Sequence, residues 1–215
     1  GGEKGLRELF DVRIRLADGS LYPVDGQFEF VGNEVNAKNI WNYSSIADEM
    51  AYTQQFANSL RVCYNAIKSR HANAWVCFSV DQNWTHVHRP GSYYSARSMI
   101  EAVNYCVQSE GNFDWALAEH PYNYPMTWTS FWTPQSEAAA AMIQHNIDTP
   151  YLSVQNIEQL TDYMGQQAMR NTKGELRPIL LTEVGYSSTQ GEEAQAAAMA
   201  AGMAMEGKNV FVYSI

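Results

Sequence analysis

The sequence has little positive charge and few cysteines. It carries 14 Lys and Arg against 23 Asp and Glu, a net charge of −9 at pH 7. This balance argues against nucleic-acid binding through a basic face and against binding to an anionic membrane surface. The cysteines are Cys63, Cys77 and Cys106, an odd number without a CxxC pair. The sequence therefore predicts neither a disulfide framework nor a cysteine-based zinc site.

Long apolar runs and linker-like stretches are missing as well. No run of about 18 apolar residues is present, so we expect no transmembrane helix. No Pro/Ser/Gly-rich linker interrupts the chain, so we expect a single domain over residues 1–215. The chain begins Gly-Gly rather than Met, which is typical of a processed start from which a leader was removed. This favours a secreted or cell-surface protein over a cytoplasmic one and leaves the compartment open.

The apolar pattern alternates between strand and helix from residue 28 onward. Strands are predicted over 28–35, 74–81, 113–122, 177–186 and 209–215, and helices over 44–70, 95–111, 153–171 and 191–207. Within residues 1–27, a helix over 5–16 followed by a turn-rich connection over 17–26 fits best, and a strand over 10–16 is the alternative. Strands that alternate with helices of this length indicate parallel β/α units.

Two architectures fit parallel β/α units: an open doubly wound sheet and a (β/α)8 TIM barrel. A nucleotide-binding open sheet would show a glycine-rich loop after its first strand, and none of the predicted strands leads into one. Several predicted strands instead end in reactive side chains: Asn33, Glu34, Asp81, His120 and Glu183. Such residues at the carboxyl ends of many strands are typical of a TIM barrel. We therefore expect a partial barrel of about strands four to eight, with the N-terminal strands missing and self-association as a way to complete it.

The two strand-end glutamates suggest a chemistry. Glu34 and Glu183 lie far apart in sequence, and opposite strand ends of a barrel would face each other across its mouth. Two carboxylates across a cleft are what the cleavage of a glycosidic bond requires, one as proton donor and one as nucleophile or stabilising charge. Asn33, beside Glu34, could donate a hydrogen bond to a sugar hydroxyl.

Three segments resemble a known group of enzymes. "GNEVN" (32–36), "DWALAEHPYNYP" (114–125) and "LTEVGYSS" (181–188) look like motifs of the retaining glycoside hydrolases of clan A, and most of all like a bacterial group of glycosidase-like barrel proteins with an Asn-Glu-Val-Asn motif. The resemblance covers about residues 28–215. It implies that Glu34 is the acid/base, Glu183 the nucleophile and Asn33 a partner of a sugar hydroxyl.

Further residues are expected to bind substrate at the same edge. His120 could bond to Glu183 or to a sugar hydroxyl, and Asp81 and Asn83 would line the same face. Aromatic rings stack on the apolar faces of sugars, and we expect Trp84, Tyr122 and Tyr186 in the cleft. The other aromatic residues near the predicted mouth are Trp41, Tyr43, Tyr124, Trp128 and Trp132.

The resulting hypothesis is a retaining hydrolase of a neutral oligo- or polysaccharide, without a metal or organic cofactor. His86 and His88 form an HxH pair, but they fall in a predicted loop without a third ligand, so we expect them to be solvated. One alternative is a non-catalytic glycan-binding protein derived from a glycosidase. Another is an amidohydrolase-like barrel with a metal. Such an enzyme would need a cluster of histidines at its strand ends, and this sequence does not show one.

Overall fold

Four short parallel strands form one sheet in the part of the chain that the structure describes. The computed structural model describes residues 34–42, 44–207 and 212–214, all of which belong to one unit, residues 32–215. The strands are β1 (Val76–Asp81), β2 (Trp115–His120), β3 (Ile179–Leu181) and β4 (Val212–Ser214). They are parallel and follow one another in the order β1-β2-β3-β4. Each strand therefore adds to the same side of the previous one.

Five α-helices and one 3-10 helix occur in the described part of the chain. They are α1 (Glu49–Arg70), α2 (Ala96–Ser109), α3 (Glu137–Met142), α4 (Glu158–Met164), the 3-10 helix Gln167–Met169 and α5 (Glu192–Glu206). In the ranges that the structure describes, no helix combines the length and the apolar character needed to cross a membrane.

The prediction of a (β/α)8 barrel is wrong. The described strands form an open four-stranded sheet with β1 and β4 at its opposite edges, and four strands are too few to close on themselves. Strand–helix alternation produces parallel neighbours in open and closed sheets alike, so the pattern could not distinguish between them. Self-association was expected as a way to complete the barrel, so the open sheet removes the argument for it. The strand predicted over 28–35 and the helix or strand within 1–27 fall almost entirely outside the described residues.

Local side-chain chemistry sets the helix limits. Asp48 caps α1 by accepting a hydrogen bond from Ala51 N at 2.8 Å, and Ser95 caps α2 in the same way by accepting from Ser98 N. The helix predicted over 153–171 is wrong in its first and last turns. Asn156 is buried there, and its side-chain amide donates to the carbonyl oxygens of Gln144 and Tyr151. Such side-chain bonds to the backbone compete with helix formation.

One face of the sheet packs against α1 and α2. Val76, Phe78 and Val80 alternate along β1 and belong to the main apolar core, as the two-residue period of a strand requires. The rings of Phe78 and Phe56 from α1 meet edge to face with their centroids 5.9 Å apart. The intervening residues of β1, including Asp81 at its end, face the other way, so the strand ends carry polar side chains away from this core.

Candidate functional site

The carboxyl ends of three neighbouring strands bring polar residues together. Asp81 at the end of β1 pairs in register with His120 at the end of β2. Thr182 follows β3 directly, and its backbone N–H donates to the carbonyl oxygen of Glu119 at 3.3 Å. Open α/β sheets bind their ligands outside the carboxyl ends of the strands. This edge is therefore where a site is expected even without a barrel.

Glu34 is held at this edge by the residues that follow it. Val35 N donates to the carbonyl oxygen of Ser79 in β1 at 2.8 Å, and the hydroxyl of Tyr52 donates to the carbonyl oxygen of Val35 at 2.7 Å. Asn36 forms two reciprocal bonds with Asp81: its Nδ2 donates to Asp81 Oδ1 at 2.6 Å, and Asp81 N donates to its Oδ1 at 3.0 Å. The segment that carries Glu34 is thus fixed to the end of β1 and to α1.

Glu34, His120 and Glu183 converge on one point. His120 Nδ1 lies 2.9 Å from Glu34 Oε1 and 3.7 Å from Glu183 Oε2. One side-chain atom from each of the three residues lies within 4.8 Å of the other two. The side chains are 19% exposed for Glu34, 4% for His120 and 52% for Glu183. The histidine is therefore a buried support between two acids that solvent reaches to different degrees.

Each member of this group has a further hydrogen-bond partner. Trp41 Nε1 donates to Glu34 Oε2 at 2.9 Å, and the Tyr122 hydroxyl donates to Glu183 Oε2 at 3.1 Å. His120 Nε2 lies 3.1 Å from the hydroxyl of Thr182. Burial and then the charge of Glu183 raise the pKa of Tyr122 to about 12, so Tyr122 keeps its proton and acts as a donor. These bonds restrict the positions of both carboxylates.

Asp81 and Asn83 lie at this edge, but they form hydrogen bonds with each other. Asn83 donates through its backbone N–H to Asp81 Oδ1 at 3.0 Å and through Nδ2 to Oδ2 at 2.5 Å, and both residues are 7% exposed. Burial raises the pKa of Asp81, the hydrogen bonds from Asn36 and Asn83 oppose the rise, and the charge of Glu34 adds to it. The structure therefore gives these two residues a positioning role beside the acids.

Two of the expected cleft aromatics lie elsewhere. Trp84 is fully buried; its Nε1 donates to the carbonyl oxygen of Ile147 at 2.8 Å, and its ring meets Tyr163 edge to face. Tyr186 stacks on Phe131 with ring centroids 5.5 Å apart. Aromatic identity alone did not reveal which rings face solvent. Asn33 and Tyr43 lie outside the described residues.

The loop histidines are part of an aromatic stack. His86 stacks on Tyr151 at 5.2 Å between ring centroids, and Tyr151 stacks on Tyr124 at 4.7 Å. Among the residues that the structure describes, the only group of three or more potential metal ligands is Glu34, His120 and Glu183. His86 and His88 are thus not part of a metal-binding group there.

Sequence reasoning missed two supports of the site, Asn36 and Thr182, and named Trp41 only as an aromatic residue near the predicted mouth. A signal was present for the two that were missed. Thr182 directly precedes Glu183, and Asn36 lies two residues after Glu34 in the quoted motif. Nothing in the sequence indicated that the indole of Trp41 would turn back to Glu34.

The arrangement allows two kinds of chemistry. Two carboxylates within 4.8 Å can act as proton donor and nucleophile on one small group between them. Two carboxylates and an imidazole can also hold a divalent ion.

A comparison with protein families gives one result that bears on the whole site. The model of a family of unknown function (DUF5722) matches residues 29–213, which include Glu34, His120 and Glu183. Comparisons with curated proteins and with solved structures give no match.

Proposed function

Because the chain belongs to the family of unknown function DUF5722, whose description assigns no chemistry, we propose its function from the site itself: it is a retaining glycoside hydrolase of a neutral glycan. The observation that carries this proposal is the short separation of Glu34 and Glu183, whose nearest carboxylate oxygens lie within 4.8 Å. Retaining enzymes keep their carboxyl groups about 5–5.5 Å apart, whereas inverting enzymes need about 6.5–9.5 Å for a water molecule. The order of the three motifs, which resembles that of retaining hydrolases, supports the same conclusion.

The surroundings of the acids support a division of roles. Glu34 is 19% exposed and Glu183 is 52% exposed. In a pair of catalytic carboxylates, the more enclosed one suits the proton donor, and the more solvated, hydrogen-bonded one suits the nucleophile. Glu34 is therefore the acid/base, and Glu183, which accepts a hydrogen bond from the Tyr122 hydroxyl, is the nucleophile.

The reaction proceeds in two displacements. In the first, the carboxyl of Glu34 gives its proton to the glycosidic oxygen, the bond from the anomeric carbon to that oxygen breaks, and a carboxylate oxygen of Glu183 attacks the anomeric carbon. The alcohol leaves, and the sugar is held as an ester of Glu183. In the second, Glu34 takes a proton from water, and the water oxygen replaces Glu183 at the anomeric carbon. The sugar leaves with its original anomeric configuration, and Glu34 is protonated again.

His120, Thr182 and Tyr122 are positioning residues in this reaction. His120 Nδ1 contacts Glu34 and lies near Glu183, and its other nitrogen is bonded to Thr182. The buried imidazole therefore fixes the distance between the acids. A shift of about 1 Å in such a group lowers rates about 10²-fold.

The charge of the protein supports a neutral substrate. The chain carries a net charge of −9, and the site places two acids within 4.8 Å of each other. Both features repel uronic or sulfated sugars. Trp41, which is 49% exposed and bonded to Glu34, offers an indole face beside the proton donor for stacking on a sugar ring.

The test is hydrolysis of a panel of neutral aryl glycosides and oligosaccharides, with product stereochemistry followed by NMR. We expect net retention. Glu183→Gln should lower kcat by on the order of 10³-fold or more, because no ester can form. Glu34→Gln should lower kcat on oligosaccharides by roughly 10²–10⁴-fold and much less on aryl glycosides with good leaving groups, which need no proton.

A matched control is available in a second Glu–His pair. Glu158 Oε1 lies 2.6 Å from His145 Nδ1 on the surface, so Glu158→Gln removes a similar contact and should leave kcat unchanged. Equal rates for wild type, Glu34→Gln and Glu183→Gln would exclude the mechanism. Saturable glycan binding without turnover in the wild type would instead identify a glycan-binding protein.

A further inference from the structure

Two of the three distances between the ligand atoms of the site are close to the spacing of ligands around one small ion. Ligand atoms about 2.0–2.1 Å from Zn²⁺ in tetrahedral geometry lie roughly 3.3–3.4 Å from each other. The distances from His120 Nδ1 to Glu34 Oε1 and to Glu183 Oε2, 2.9 Å and 3.7 Å, lie on either side of this value. Small side-chain rotations would therefore bring all three atoms to coordinating distance. The exposed side of Glu183 leaves a fourth position open to water.

The hydrogen bonds behind these side chains are those that metal ligands usually have. A coordinating histidine donates its second ring N–H to an acceptor, and the Thr182 hydroxyl lies 3.1 Å from His120 Nε2. This bond is compatible with the tautomer in which Nε2 carries the hydrogen and Nδ1 has its lone pair free for a metal. Coordinating carboxylates are in turn hydrogen-bonded, and Trp41 and Tyr122 supply those donors to Glu34 and Glu183.

We propose that Glu34, His120 and Glu183 bind a divalent first-row transition ion such as Zn²⁺, and that this binding and glycoside hydrolysis exclude each other. One imidazole nitrogen and two carboxylate oxygens suit such ions better than Mg²⁺ or Ca²⁺, which prefer oxygen ligands only. An ion on both carboxylates withdraws the proton donor and the nucleophile together. The exclusion, unlike the binding, rests on the proposed hydrolase function. The site would then act as a metal-sensitive off-switch of its own reaction.

The binding test is isothermal titration of the metal-free protein with Zn²⁺, with Mg²⁺ as the comparison ion. We expect one Zn²⁺ per chain and no saturable Mg²⁺ binding. His120→Ala and Glu183→Gln should each weaken Zn²⁺ binding at least about 100-fold, and Thr182→Val, which removes the acceptor behind His120, should weaken it about 10–100-fold. Glu183 is half exposed, so its variant should fold even if the buried His120 does not tolerate replacement.

The loop histidines provide the control. His86 and His88 have ring centroids 6.5 Å apart, so they are the obvious competing site for a soft cation. The double variant His86→Ala/His88→Ala should bind Zn²⁺ like the wild type. Loss of binding in this variant, or unchanged binding in both His120→Ala and Glu183→Gln, would overturn the proposed site.

The two proposals can fail separately. If the protein hydrolyses a glycoside, stoichiometric Zn²⁺ should abolish turnover and EDTA should restore it. Turnover that persists in the Zn²⁺-loaded protein would overturn the exclusion. Zn²⁺ binding that is lost in Glu183→Gln, in a protein without activity on any glycan, would support the metal site and remove the hydrolase proposal.

Discussion

An acid is buried at the end of β1 and another near the end of β2, and the two acids differ in their hydrogen bonding. Asp81 at the end of β1 accepts three hydrogen bonds, one from Asn36 and two from Asn83. Glu119, one residue before the end of β2, is 0% exposed, and neither of its carboxyl oxygens has a hydrogen-bond partner among the described residues. Burial raises the pKa of Glu119 well above the usual range, and the charges of Asp81 and Glu34 add to the rise.

The comparison separates a buried acid that positions the site, Asp81, from a buried acid whose burial lowers the stability of the fold, Glu119. The bonds to Asp81 attach the Glu34 segment to the sheet, so the burial of this acid is used to build the site. Successive residues of a strand point to opposite faces, so Glu119 points away from its neighbour His120 and towards the helix-covered face. Its carboxyl group contributes no contact to the site that the structure shows. The end of β1 is therefore predicted to be sensitive to mutation, and Glu119 to be replaceable with a gain in stability.

The largest effect is expected from Asn36→Ala. It removes two hydrogen bonds to Asp81 and leaves a buried acid with fewer donors, which should lower the free energy of unfolding by about 2–4 kcal/mol. Urea unfolding measures this. Asn39→Ala is the matched control, because Asn39 is exposed and its side-chain bonds are 3.3 Å and 3.4 Å long; it should change stability by less than about 0.5 kcal/mol. Equal stabilities of the two variants would show that Asp81 does not fasten the segment.

A smaller, pH-dependent effect is expected from Glu119→Gln. Because the pKa of Glu119 is higher in the folded protein than in the unfolded chain, its contribution to stability is fully present below about pH 4.3 and is lost as pH rises through the folded pKa. The variant should therefore gain stability relative to wild type as pH rises from 4 to 8. Urea midpoints across this range, measured with EDTA present, test the prediction.

The control for Glu119 is Glu137→Gln, an exposed acid in the first turn of α3. Its urea midpoint should follow the wild-type curve closely across the same pH range. If the urea midpoint of Glu119→Gln also follows the wild-type curve across this pH range, Glu119 is stabilised by a hydrogen-bond partner or by water, and the contrast with Asp81 is wrong.

The smallest effect is expected from Tyr186→Phe. The buried Tyr186 hydroxyl has no hydrogen-bond partner in the described ranges, so its removal should change stability by less than about 0.5 kcal/mol.

The same hydroxyl fills the space where a Cβ on Gly202 of α5 would lie. Gly202→Ala should therefore cost about 1–3 kcal/mol, and Tyr186→Phe should reduce that cost in a thermal double-mutant cycle. Strict additivity would argue against this contact.

The sequence predicted the elements better than their assembly. The periods of apolar residues located α1, α2, α5 and the four strands, with limits that differ by up to five residues from those of the structure. Asn156 shortened the helix predicted over 153–171 through bonds that no local pattern indicates. The α3 helix, with Ser136 as its cap and a run of alanines, was present as a signal and was overlooked in an aromatic-rich segment. Barrel closure failed as a prediction because it depends on strand number and register, which are properties of the whole sheet.

For the site, the rule that reactive residues follow parallel strands was the useful one. It selected Glu34, His120, Tyr122 and Glu183, and the structure links these side chains in series: His120 lies next to Glu34 and near Glu183, and Tyr122 donates to Glu183. It does not tell a free polar group from one already paired, as with Asp81, nor an exposed ring from a core ring, as with Trp84. Those distinctions depend on neighbours from distant parts of the chain.

The order of the strands has a consequence for synthesis on the ribosome. Glu34 and His120 are 86 residues apart, and Tyr122 and Glu183 are separated by another 61. A nascent chain therefore exposes its first acid long before the last one has left the exit tunnel. The four side chains of the site can come together only after the segment with Glu183 has emerged, so neither the proposed turnover nor the proposed metal binding can begin before that point.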